Sequence, residues 1–98
     1  MKCQLMREKL IEQKLVKAVK AMGGISPKFV SPGLSGMPDR IVLLPDGKVG
    51  FAEVKAPGKK PRALQAVRHE KLRSLGFKVF VLDEAEQIGE VLHAIQTT

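Results

Sequence analysis

The 98-residue chain has one cysteine, no tryptophan and no tyrosine. Cys3 alone cannot close an internal disulfide, and zinc clusters that need several thiolates are excluded. Four phenylalanines are the only aromatics, so stacking platforms of the kind that grip single-stranded bases are scarce. Any nucleic acid is expected to be held through phosphates and shape. No apolar run exceeds four residues, as at Ile41 to Leu44, far short of the roughly 20 that cross a bilayer. No apolar block of signal-peptide length follows Met1-Lys2, so a cytoplasmic location without a membrane partner is expected.

What is present is an ordinary globular composition, 44% hydrophobic and 28% charged, and residues 1–98 are expected to form one domain. Charge is uneven. Seventeen Lys and Arg against ten Asp and Glu give a formal +7. Between positions 55 and 78 stand Lys55, Lys59, Lys60, Arg62, Arg68, Lys71, Arg73 and Lys78 against Glu70 alone. Residues 83–98 carry four acids and no Lys or Arg. A locally basic chain suits a polyanion such as DNA or RNA.

Residues 5–22 lack Pro and Gly, and Leu5, Ile11, Leu15, Val16, Ala18, Val19 and Met22 gather on one side at helical spacing. Gly23-Gly24 stops that helix. Phe29-Val30 is a short strand candidate between Pro27 and Pro32, and 31–38 reads as a loop. Arg40 to Leu44 and Val49 to Lys55 form a hairpin about the turn Pro45-Asp46-Gly47-Lys48. Pro61 suits the first turn of a second helix with an apolar stripe of Leu64, Val67, Leu72 and Leu75, closed by Gly76. Phe77 to Leu82 is a further strand. Asp83 with Glu86 suggests a capping box before a last helix carrying Ile88, Val91, Leu92 and Ile95. The order α-β-β-β-α-β-α predicts a layered α/β domain on a small mixed sheet.

The acids stand where acids are costly. Glu8 and Glu12 project within the apolar stripe of the first helix, where a carboxylate needs a partner or a metal. An acid in a first turn is also explained by the helix dipole, which weakens the case for Glu8. Asp39 opens the first hairpin strand, and Glu53 and Lys55, two apart on the second, share a face. Hairpin pairing lets Asp39 and Glu53 converge with Lys55 beside them. Two close carboxylates repel, a divalent cation relieves the repulsion, and oxygen ligands favour Mg²⁺ or Mn²⁺. A neighbouring lysine can offset charge developing on a phosphate. His69 and His93 have no partner at ligand spacing and read as packing or surface residues; Ser31, Ser35 and Ser74 have no obvious base.

Pro38-Asp39, a gap of thirteen residues, then Glu53-Val54-Lys55 fits the PD-(D/E)xK nuclease pattern. The wider strings 36–40, 51–61 and Leu64-Gln65 resemble the VRR-NUC family, the virus-type replication-repair nucleases. Residues 11–16, Gly23-Gly24 and 28–33 resemble its stand-alone phage and bacterial members. The resemblance implies a restriction-endonuclease-like α-β-β-β-α-β core with a C-terminal helix. It implies Asp39 and Glu53 as metal ligands with the Val54 carbonyl, Lys55 as the catalytic lysine and Gln65 in support. The helix-one acid would be Glu12, also toward the metal, with Glu8 the alternative on the same face. It further implies a Mg²⁺- or Mn²⁺-dependent DNA endonuclease of a bacterial or phage-infected cell, selective for branched DNA such as four-way junctions. A two-fold junction suits a homodimer, for which Met6 and Leu10, off the main stripe, are contact candidates. The rival readings are a DNA-binding module without catalysis and a duplex endonuclease of restriction type.

Overall fold

A computed structural model describes residues 2–98, with side chains from Met6 onward; Leu5, the first member of the predicted stripe, lies outside the described side chains. Helix α1 spans Lys2–Ala21, strand β1 Arg40–Leu44, strand β2 Lys48–Val54, helix α2 Ala63–Ser74, strand β3 Lys78–Leu82 and helix α3 Ile88–Gln96. Gly23, at φ +87°, turns the chain out of α1, and the Gly24 N–H returns to the Val19 carbonyl at 3.0 Å. The hairpin turn is a single 3₁₀ turn over Pro45–Gly47, with Asp46 and Gly47 in left-handed conformations.

The sheet has the order β1-β2-β3. β1 and β2 pair antiparallel, Arg40 opposite Ala52, and β2 and β3 pair parallel, Gly50 opposite Lys78. Helices cover both faces. On one, α1 and α3 close the main core of Ile11, Leu15, Val19, Val42, Leu44, Ala52, Val54, Leu82, Val91, Leu92 and Ile95. A Cβ at Gly50 would collide with the Ile95 side chain, so this glycine is what lets α3 lie against the sheet. On the other face, α2 covers a smaller cluster, Phe51, Leu72 and Val79, flanked by Phe29, Met37 and Ile41.

Three local expectations are revised. The Phe29-Val30 strand is replaced by an irregular edge at residues 25–29 that follows β1 through two isolated bridges, Ile25 with Leu43 and Lys28 with Arg40. Pro27 interrupts it, having no N–H for the Ile41 carbonyl; the Ser26 hydroxyl donates to that carbonyl instead, at 3.0 Å. Helix α2 starts after Arg62 rather than at Pro61, and its buried face is rotated from the expected stripe, of which Leu72 alone is buried. Leu64, Val67 and Leu75 are 46%, 59% and 60% exposed, whereas its buried residues are His69 and Leu72. The cap before α3 is made by Gln87, whose Oε1 accepts the N–H groups of Asp83 and Glu84, not by Glu86.

Candidate active site

One step beyond the last paired residues of the hairpin, the register sets Asp39 opposite Glu53, on the face covered by α2. Asp39 Oδ2 accepts the Val54 N–H at 3.2 Å, which ties the loop to the end of β2. The next pair in register is Pro38 with Val54. Proline has no N–H, so the Val54 carbonyl receives no ladder bond from that side. Gly36, at φ +84°, lets the preceding loop lie against Leu64 and Arg68 of α2, and Arg68 Nε donates to the Ser35 carbonyl at 2.8 Å.

Glu53 is 1% exposed. Its Oε2 accepts from Gln65 Nε2 at 3.1 Å and lies 3.4 Å from Lys55 Nζ. The Gln65 amide has two duties: its Oε1 accepts the Arg62 N–H at 2.9 Å and so caps α2, while its Nε2 holds Glu53. The Oε1 of Glu53 faces His69 Nε2 at 3.6 Å, too long for a hydrogen bond. Burial, then hydrogen bonding and charge repulsion from Asp39, push the Glu53 carboxyl from its ordinary 4.5 up to about 8, with Lys55 pulling the other way. Burial, then the Arg73 and Lys55 charges, push His69 below its ordinary value, against Asp39 and Glu70.

The structure thus gathers Asp39, Glu53, Val54, Lys55 and Gln65 at one end of β2. Glu12 does not join them in this arrangement. Arg40, one residue beyond Asp39, points to the opposite face of the sheet and takes the Glu12 carboxylate there, at 2.9 Å through Nε and 2.8 Å through Nη2. Arg40 Nη1 also donates to the Ser26 carbonyl at 2.8 Å. Glu8 and Glu12 do line an open cavity together with Asp39, Lys28 and Phe29. Among the described residues no three His, Cys, Asp or Glu side chains cluster closely enough to hold a metal, so the expected convergence of three acids is a pair. His69, expected from the sequence to be a packing or surface residue, is buried against Glu53; its position four after Gln65, on the same face of α2, was the available signal of a place at the site.

The donors that are gathered suit a hard divalent cation. They are two carboxylates and a backbone carbonyl without its ladder donor, all oxygen, and Mg²⁺ is commonly held by one or two carboxylates. A buried carboxylate whose charged form is disfavoured on its own is one that a bound cation stabilises.

No protein-family model matches the chain. It is 49% identical over 92 residues to "Putative nuclease p44" of Acyrthosiphon pisum secondary endosymbiont phage 1, a match covering 94% of this chain and 98% of that protein. The fold superimposes on a solved structure described as a VRR_NUC domain with a TM-score of 0.82 and 32% identity, over 89% of this chain and 95% of that one. Near-complete coverage of both relatives, with the Asp39–Glu53–Lys55 pattern folded into one site, means that this chain belongs to the VRR-NUC family.

Proposed function

We propose that the protein is a divalent-metal-dependent DNA endonuclease that prefers branched substrates and works as a homodimer. The observation that carries the reading is the buried Glu53 held beside Asp39, with Lys55 as the ammonium at the mouth of the pair. Asp39, Glu53 and the Val54 carbonyl would hold Mg²⁺ or Mn²⁺. When bound, the ion supplies Lewis-acid polarisation of a phosphoryl oxygen and makes water a better nucleophile at neutral pH. Hydrolysis adds one water to phosphorus and breaks one P–O ester bond, leaving a phosphate monoester and a free hydroxyl. The Lys55 ammonium, 3.4 Å from Glu53 on a four-carbon stem with rotatable bonds, would turn to the phosphate oxygens as charge develops on them. Gln65 keeps Glu53 in place during that exchange. Glu12 borders the same cavity as Asp39 and would join the cation by exchanging Arg40 for it.

The surroundings of the site support a nucleic acid as the polyanion. On the α2 side lies the basic run from Lys59 to Lys78. On the α1 side, Lys9, Gln13 and Lys17 face Lys28 across an open groove of about 630 Å³, which shares Glu12 and Lys28 with the cavity beside Asp39. Phosphates can therefore be held on either side of the reacting bond, and affinity is expected to fall steeply with salt. Met6 and Leu10 are 65% and 52% exposed on α1, as a dimer contact on that helix requires. The test is cleavage of a panel of four-way junction, flap, nicked and linear DNA in Mg²⁺, Mn²⁺ and EDTA, with sedimentation for mass. The expected result is metal-dependent cutting with junctions preferred, by a particle of twice the 10.7 kDa chain mass. A monomer that cuts plain duplex equally well would overturn the junction and dimer readings; no cutting in either metal would overturn the nuclease.

A further inference from the structure

Two buried polar atoms face each other without a hydrogen bond, Glu53 Oε1 and His69 Nε2, 3.6 Å apart. Among the described residues they are the two buried side-chain polar atoms that lack a partner. Unpaired buried groups are costly and uncommon, so two of them placed opposite one another call for a reason. Both residues are 1% exposed, between α2 and β2. An imidazole with its hydrogen on Nε2 is a donor aimed at that carboxylate oxygen, and an approach of about half an ångström makes an ordinary N–H···O bond. Gln65, one turn earlier on the same face of α2, already holds the other oxygen at 3.1 Å.

We propose that His69 is a positioning residue: its Nε2–H takes Glu53 Oε1 while Gln65 takes Oε2, so that α2 fixes the rotation of the carboxylate offered to the cation. The inference rests on the metal-dependent reading of the site. In this role His69 touches neither DNA nor metal and acts through Glu53. Metal-ligating carboxylates are commonly hydrogen-bonded in turn, and loss of such a partner costs about 10–100-fold in metal affinity or activity.

The experiment compares His69→Phe, which keeps a ring and drops the donor, with His69→Gln, which keeps an N–H. Two quantities are read: the Mn²⁺ concentration giving half of the maximal rise in Tm without DNA, and the Mg²⁺ concentration giving half-maximal cleavage. His69→Phe is expected to raise both by about 10–100-fold. DNA affinity in EDTA should match the wild type, and His69→Gln should recover most of the loss. Wild-type metal requirements in His69→Phe would overturn the role. So would equal impairment of two folded variants, which would mean that His69 only fills space. If His69→Phe does not fold, His69→Leu against His69→Gln makes the same comparison. A wild-type protein with no metal-induced rise in Tm would instead overturn the metal reading, and this inference with it.

Discussion

The two faces of the sheet are built for different ends. Toward α1 and α3 the sheet presents Val42, Leu44, Ala52, Val54 and Leu82, and the helices return Leu15, Val19 and Ile95, all apolar and nearly all inaccessible. Toward α2 the apolar cluster is three buried residues wide, and beside it lie an acid and a histidine that water does not reach. The same strands make both faces, because neighbouring residues of a strand point to opposite sides. Val54 belongs to the core, while Glu53 and Lys55 on either side of it belong to the site. A domain of this size has little core to spare. It places stability on one side of a single sheet and tolerates costly groups on the other.

Substitutions on either face test this division of labour, and those on the apolar face have the largest effect. Leu15→Ala should cost about 2–5 kcal/mol by denaturant unfolding, the range for truncating a fully buried leucine. Cleavage per folded molecule should persist. On the other face, Lys55→Ala should lower cleavage by at least about 10²-fold while Tm and DNA affinity change little. If affinity and cleavage fall by equal factors, Lys55 is a binding residue only.

The apolar face can be read from the residues alone; the polar face is legible mainly through the family resemblance, and His69's place in it is not. The stripes of α1 and α3 follow from burial, which leaves a periodic trace, and the pairing of β1 with β2 follows from the turn residues between them. Asp39, Glu53 and Lys55 were legible through strand geometry and the family resemblance. On α2 three of the four residues of the sequence stripe, Leu64, Val67 and Leu75, are exposed, and Leu72 alone is buried. Its inward face is Gln65, His69 and Leu72, polar where the site lies and apolar only where the site ends. Hydrophobic periodicity has no means of finding such a face. The Glu12–Arg40 pair was hidden for a related reason. It joins residues 28 apart in sequence, and nothing local announces it.

In EDTA, Glu53 should make the wild type less stable as pH rises. Its carboxyl holds a proton up to about pH 8 when folded but only to about 4.5 when unfolded, so the folded state binds more protons in between and stability falls across that window. His69, pushed below its ordinary 6.5, acts with the opposite sign at the acid end, which leaves pH 6.5 to 8 as the cleanest interval. Glu53→Gln should flatten the slope of Tm there; a wild-type slope retained in the variant would remove Glu53 as its source. Val67→Lys, on the outward side of α2, should change stability by no more than about 0.5 kcal/mol. A core-sized loss would mean that α2 faces the way its apolar residues suggest.

On the proposed reading, the costly face receives a divalent cation. The direct measurement is the Tm of wild type and Asp39→Asn at neutral pH with increasing Mg²⁺ or Mn²⁺, without DNA. Binding to the folded state raises Tm by mass action. The wild type should show a saturable rise and Asp39→Asn none. An equal rise in both proteins would mean that the cation does not bind between Asp39 and Glu53, and the proposed chemistry of the site would fall with it.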